Sequence, residues 1–242
     1  MPSTLVIADL HLSVERSDIT ECFFQFLTEH NSKHDALYIL GDLFEAWVGD
    51  DDVTEFTDSI ANAIHQFSNT TPVYFIHGNR DFLLGRKYAQ RCGMTLLPEQ
   101  LAIELYGRNV LFMHGDQLCT DDVDYQVFRK KSRTWWWRAL MLMLPLSMRR
   151  KKAEEYRRRS IEQQSYKSLD IMDVNQAAVQ QALQTSQSTL LIHGHTHRPA
   201  IHKLENNKKR IVVGDWYTQG SVLTLTESDH ELSYLPFNEQ KQ

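Results

Sequence analysis

The 242-residue chain is predicted to fold as an α/β (α+β) protein with a helical insert. Three observations predict it. Short apolar runs recur along the chain, and each stops at a cluster of Gly, Asp, Asn or His, the pattern of a buried strand followed by a tight turn. Segments with helical spacing separate several of these runs, which makes βαβ units. Between residues 121 and 183 Gly is absent and Pro occurs once, while Arg, Lys, Gln, Met and Leu accumulate, so this stretch reads as helices.

The length allows one sizeable domain, or a core with an inserted subdomain. Hydrophobic residues at 42% and charged residues at 24% supply an ample core. Cys22, Cys92 and Cys119 are too few and too scattered for a disulfide framework or a cysteine zinc site, which fits a reducing cytoplasm. The apolar start at residues 5–8 is broken at once by Asp9 and His11 and lacks a basic leader, so neither a signal peptide nor a membrane span is expected. The net charge of −5 hides an asymmetry: residues 129–159 carry 12 Lys or Arg against Glu154 and Glu155. A basic patch on an acidic body is expected to meet an anionic surface or ligand.

Residues 4–8 read as a strand that delivers Asp9 and His11. An i, i+2 pair leaving a strand points to one side and can hold one cation through oxygen and nitrogen. Residues 17–30 have helical spacing in Ile19, Cys22, Phe23, Phe26 and Leu27, with a serine start. Residues 37–40 form a strand buried on both faces that stops at Gly41, placing Asp42 just past its end. A carboxylate there can reach two hard cations, and the glycine lets the backbone turn closely beneath them. Asp50, Asp51 and Asp52 read as a solvated loop capping a helix over 55–67.

Residues 73–76 form a third strand ending in His77-Gly78-Asn79-Arg80-Asp81. Asn79 offers an amide oxygen to a hard metal and Arg80 a planar fork to phosphate oxygens, whereas His77 reads as structural. Residues 101–105 and 109–113 alternate around 106–108 as a hairpin, whose second strand ends in His114-Gly115-Asp116. Within the helical stretch, residues 135–146 are apolar apart from Arg138, too short to span a bilayer, and flanked by Arg and Lys. They read either as a segment lying at a lipid interface or as a buried helix of the insert. Residues 189–192 form a strand ending in His193-Gly194-His195-Thr196-His197, with His193 in the core. Residues 210–213, then Gly214-Asp215-Trp216, and a strand over 221–225 return to sheet, and 239–242 read as an unstructured tail.

In open α/β sheets strand ends converge on one crevice, so Asp9, His11, Asp42, Asn79, His114, His195 and His197 are expected to meet. Seven mixed oxygen and nitrogen ligands exceed what one metal needs. Shared over two sites with Asp42 bridging, they make a two-metal centre. Without cysteine, the ligand set suits Mn, Fe or Zn.

Asp-x-His, Gly-Asp, Gly-Asn-x-Asp, His-Gly-Asp and Gly-His-Thr-His, in that order, resemble the calcineurin-like metallophosphoesterases to about Trp216. The runs 41–51, 78–83, 114–122 and 214–217 are most similar to the pyrophosphatases of lipid A biosynthesis that act on UDP-2,3-diacylglucosamine. The resemblance implies a four-layer α/β/β/α core over residues 1–120 and 184–242, two divalent cations, most characteristically Mn2+, and an inserted helical lipid-binding cap over 121–183. It implies one cation on Asp9, His11, Asp42 and His197 and the other on Asp42, Asn79, His114 and His195. Catalytic roles would fall to Asp42, Asn79, Arg80, His114 and His195. Substrate contacts would map onto Asn79, Arg80, Asp122, Tyr125, Arg157, Ser160, Gln164, Lys167 and His195.

Most of the superfamily places a histidine after Gly-Asn, where this chain has Arg80. Arginine cannot protonate a leaving alkoxide, but a phosphate leaving an anhydride needs no proton, so Arg80 points to a pyrophosphate. The expected reaction is attack by a metal-bound hydroxide on the α-phosphorus, giving UMP and 2,3-diacylglucosamine 1-phosphate. The expected partners are the acylated UDP-sugar and an anionic membrane surface, with peripheral association on the cytoplasmic face of the inner membrane and no nucleic acid or obligate protein partner. The alternative is a metal-dependent nuclease whose basic patch tracks a phosphate backbone.

Overall fold

The structure, a computed structural model, describes residues 2–166 and 173–237, with the backbone alone over 159–166. The predicted tail at 239–242 lies outside the described residues. One six-stranded sheet runs in the order β11 (His230–Leu235), β10 (Gly220–Thr226), β1 (Ser3–Ile7), β2 (Ala36–Ile39), β3 (Val73–Phe75) and β4 (Met94–Leu96). A five-stranded sheet runs β5 (Gln100–Leu105), β6 (Arg108–Met113), β7 (Leu190–His193), β9 (Lys209–Val212) and β8 (Ala200–Lys203). In the first, β1 to β4 are parallel; in the second, β6, β7 and β9 are parallel. The outer strands of both sheets include antiparallel pairs.

Alternation along the strands explains the layers. Leu5 and Ile7 of β1 and Leu37 and Ile39 of β2 face three helices, α1 (Ser17–His30), α2 (Glu55–Ser68) and α3 (Arg86–Cys92), through Phe23, Phe26, Ile60, Ile64 and Tyr88. The intervening Val6, Tyr38 and Leu40 point the other way and meet Val110, Phe112, Ile192 and Ile211 of the second sheet. Across that sheet, Leu111, Met113 and Leu191 pack on Val179 and Leu183 of α7 (Gln176–Thr185). The result is four layers, α/β/β/α. Strand ends therefore converge from two stacked sheets and not from one open sheet. Because α7 forms the fourth layer, the segment 121–183 includes one helix of the core.

The other three helices of that segment are α4 (Val123–Ser132), α5 (Trp135–Met143) and α6 (Leu146–Tyr166). Trp137 is buried against Phe82 and Phe128, while Trp135 is 80% and Met143 82% exposed. The apolar run thus has both a packed side and a bare side.

The acidic run at 50–52 corrects the sequence reading. Thr54 caps α2, its hydroxyl accepting from Thr57 N and its own N–H reaching the Thr57 hydroxyl. Asp50 accepts from Gly85 N and Tyr88 N at the start of α3. Asp51 pairs with buried Arg149, which also donates to Val48 O, and Asp52 pairs with Arg150. A charge run that scans as a solvated loop ties α6 to the core, and part of the basic segment is neutralised within the molecule. The hairpin turn is also tighter than expected: Tyr106 and Gly107 alone connect the strands, with φ of 52° and 71°.

Phe112 is fully buried between the sheets and stacks on Tyr38 with ring centroids 4.6 Å apart. Phe112→Ala is expected to lower unfolding stability by about 3 to 5 kcal/mol. Urea unfolding of the two proteins measures this, and a loss under ~1 kcal/mol would contradict the inter-sheet packing.

Candidate metal centre

Each of the seven residues lies at or just beyond the end of a parallel strand: Asp9 and His11 after β1, Asp42 after β2, Asn79 after β3, His114 after β6, His195 and His197 after β7. The chain leaves these strands through left-handed backbone, with φ of 54° at Asp9, 51° at His11, 52° at Asp42, 69° at His195 and 54° at His197. Such conformations are uncommon outside glycine and gather at functional sites. The loops hold one another there. Asp9 N donates to Gly41 O (3.1 Å), His11 N to Asp42 O (2.9 Å), and His195 N to Asp9 Oδ2 (2.6 Å). A Cβ on Gly41, at φ +89°, would fall 2.4 Å from Gly78 N, and one on Gly78 would fall 2.1 Å from Asp42 Oδ1. Two glycines therefore let the Asp42 and Asn79 loops interlock. Asp81 fastens them, accepting from Gly78 N and Leu43 N, both at 2.8 Å.

Two groups of donor atoms result, Asp9 with His11 and His197, and Asp9 with Asp42 and His114, each within 4.8 Å. His11 Nδ1 lies 3.1 Å from Glu45 Oε2, His197 Nδ1 3.0 Å from Asp215 Oδ2, and His114 Nδ1 2.8 Å from Leu40 O. The Asp215 and Leu40 oxygens only accept, so the neutral His197 and His114 rings carry their protons on Nδ1 and turn Nε2 lone pairs inward, while His11 Nδ1 faces Glu45 without an aligned hydrogen bond. The Nε2 atoms of His11 and His197 are then 3.3 Å apart, and His114 Nε2 is 2.9 Å from Asn79 Oδ1. Asp9 Oδ1 is buried beside them without a hydrogen-bond partner among the described residues. Acceptors packed this closely require positive charge between them.

Protons can supply it in part. Burial opposes charge on His197, but Asp215 and Asp9 prevail and push it up to about 10. Burial likewise opposes charge on His114, and Asp42 and Asp9 outweigh it, raising that ring. For Asp9 burial acts upward, yet His197, His114 and His11 hold it well below the usual carboxylate range. His195 goes the other way, lowered to about 4 by burial and then by His114, so it stays neutral. Carboxylates, imidazoles and an amide oxygen fit hard or borderline divalent cations. Burial pushes the nearby Cys119 thiol up to about 12, which disfavours a thiolate.

A cavity of about 710 Å³ opens from this cluster. His11, Asp42, Asn79, His195 and His197 line one part, and Trp47, Phe82, Phe128, Trp137, Met141 and Tyr156 line an apolar chamber continuous with it. Arg80, Asp122, Tyr125 and Arg157 also border the cavity. The side chains of Ser160 and Gln164, and Lys167 entirely, lie outside the described residues. Sequence reasoning missed Glu45 and Asp215 as the carboxylates that orient His11 and His197. It also missed Asp116, buried and accepting from Tyr125 Oη (2.6 Å) and Arg129 Nε (2.8 Å), which docks α4. The available signal was an acidic residue beyond the candidate ligands in the motifs at 41–45, 114–116 and 214–216.

A fold of two stacked sheets with this cluster at their shared end defines a metallophosphoesterase. A model of the calcineurin-like phosphoesterase family matches residues 2–199, and the chain belongs to that family. It is 52% identical over 239 residues to a UDP-2,3-diacylglucosamine hydrolase of Shewanella loihica, covering 99% of each chain. It is 54% identical over 239 residues to a UDP-2,3-diacylglucosamine hydrolase of Escherichia fergusonii, covering 97% of this chain and 100% of the relative. Among solved structures, an archaeal phosphodiesterase superposes with a TM-score of 0.50 at 11% identity, covering 96% of this chain and 99% of that one, which shows the shared fold.

A cation must displace the His197 proton below about pH 10, so its uptake is expected to release protons and to tighten as pH rises. Asp215→Ala should release fewer and bind about 10 to 100-fold more weakly. Calorimetric Mn2+ titration in buffers of different ionisation enthalpy reads both quantities. Equal proton release by the two proteins would contradict the Asp215–His197 linkage.

Proposed function

We propose that the chain hydrolyses the pyrophosphate bond of UDP-2,3-diacylglucosamine, giving UMP and 2,3-diacylglucosamine 1-phosphate in lipid A biosynthesis. The relatives at over 50% identity along the whole chain support the substrate. The observation that carries the reading is that one cavity is lined both by the candidate ligand cluster and by packed apolar side chains. Those two parts match the phosphates and the acyl chains of one molecule. A nucleic acid would leave the chamber without an occupant.

Asp9, His11, Asp42 and His197 would hold one divalent cation and Asp42, Asn79, His114 and His195 the other, with Mn2+ the preferred ion. When bound, such a pair neutralises phosphoryl oxygens and makes water nucleophilic at neutral pH. The chain's own residues position the rest. Arg80 is fixed by its backbone N–H to Asp42 Oδ1 at 2.8 Å, and its buried Nε has no protein partner among the described residues. That guanidinium is a donor waiting for a phosphate oxygen, and it stabilises charge as the anhydride breaks. It holds no transferable proton, and the departing phosphate needs none. Asp122, Tyr125 and Arg157 would orient the sugar phosphate, with Ser160, Gln164 and Lys167 completing the contacts; Arg157 meanwhile rests on Glu45 Oε1 at 3.0 Å. The chamber under α4 to α6 would exclude water and seat the acyl chains, so these helices act as the cap of segment 121–183.

The same helices would bring the enzyme to its substrate. No helix among the described residues is long and apolar enough to cross a membrane. Trp135, Trp136, Leu140 and Met143 are bare beside Lys and Arg, the make-up of a surface that lies on an anionic bilayer. Peripheral attachment to the cytoplasmic face of the inner membrane follows from this reading.

Attack at the α-phosphorus places oxygen from heavy-oxygen water in UMP; label in the acylated sugar phosphate would overturn that regiochemistry. Asp42→Ala should lower Mn2+-dependent turnover at least 1,000-fold (roughly 4 kcal/mol), and full turnover would sink the catalytic reading. Replacing Trp135 and Met143 together with Ser should reduce cosedimentation with phosphatidylglycerol vesicles; unchanged binding would refute attachment through this face.

A further inference from the structure

We propose that the uracil base of the nucleotide stacks on the ring of Tyr217, an inference that rests on the substrate reading above and extends it to the nucleoside. The scissile pyrophosphate has an acylated sugar on one side and a nucleoside on the other. The apolar chamber answers to the first. Its walls, Trp47, Leu83 and Trp137 with Phe82, Phe128 and Met141 against them, belong to one packed cluster that does not include Tyr217.

Tyr217 borders the same cavity in a different setting. Its ring lies parallel to that of His11, with centroids 5.1 Å apart and planes at 12°, and it meets His197 at 5.4 Å and 56°. One face is therefore covered by His11, while the residue as a whole remains 39% exposed. What is left to a ligand is the opposite face, directly beside the atoms that would bracket the pyrophosphate.

The ring also stands on a fixed base. Trp216, fully buried, donates from its backbone N to Asp9 O (3.1 Å) and from Nε1 to Ser221 O (3.2 Å). On the other side Arg16 Nη2 donates to Tyr217 O (2.7 Å) and is itself held by Asp18 in a two-point pair. A platform anchored in this way loses little freedom when a ligand arrives. A pyrimidine, apolar on its faces and polar at its edges, is the part of a UDP-sugar suited to an aromatic face at a wet rim.

The test is calorimetric titration of the Mn2+-loaded protein with UMP and with ribose 5-phosphate, which differ by the base. Wild type is expected to bind UMP about tenfold more tightly, as one stacked base sustains. Tyr217→Leu, which keeps an apolar side chain on His11 but no aromatic face, should bring the ratio near one, and Tyr217→Phe should preserve it. Equal affinities in the wild type, none measurable included, would overturn the proposal, as would a ratio unchanged in Tyr217→Leu. So would a loss that falls instead on the acylated sugar 1-phosphate, since the sugar would then occupy the ring. The substrate reading fails on a separate assay, the absence of UMP release from UDP-2,3-diacylglucosamine.

Discussion

Lone pairs cannot crowd into a dry volume without a positive charge among them, and the architecture of this protein is built around that demand. Asp9 Oδ1 and the Nε2 atoms of His11 and His197 come together while the outer nitrogens of the two rings face the carboxylates of Glu45 and Asp215. Removing those carboxylates would free the rings to turn outward and relieve the crowding. With them in place the rings stay, and an affinity for cations would rest on that crowding. The strength of such a centre would thus originate as much in the acidic residues behind the candidate ligands as in the ligands themselves.

Holding the arrangement costs the backbone. Five of the seven residues sit in left-handed conformation, each worth of order 1 to 3 kcal/mol for a residue other than Gly, somewhat less for Asp and His. Short parallel strands, fully buried, offset this by fixing the direction in which each loop starts. The loops then bond to one another across the two sheets, so no single turn bears its conformation alone.

Much of this was legible in the sequence wherever a local pattern carried it. The strand over 37–40 reads as apolar on both faces, and β2 divides its side chains between the helix layer and the inter-sheet layer. The ligand-type residues follow strand ends by one to five positions, a local relation visible without coordinates. What sequence could not show was pairing over distance. Asp215 lies far along the chain from Asp9 and belongs to a turn that scans like any Gly-Asp, so its hold on His197 emerges only when the sheets stack. The run at 50–52 misled because three like charges look solvated until their separate partners are known. The strands β4, β8 and β11 and the short helix α3 were overlooked: they are brief or half exposed, and their neighbours hold them more than their own periodicity does.

The contact of Arg149 with Asp51 and Val48 O gives the roof of the chamber a mechanical connection to its floor. The span of chain gripped there is the same one that carries Asp42 at its start and Glu45 midway. Any outward displacement of α6 therefore has to break that grip or pull on the far end of the segment that begins at Asp42.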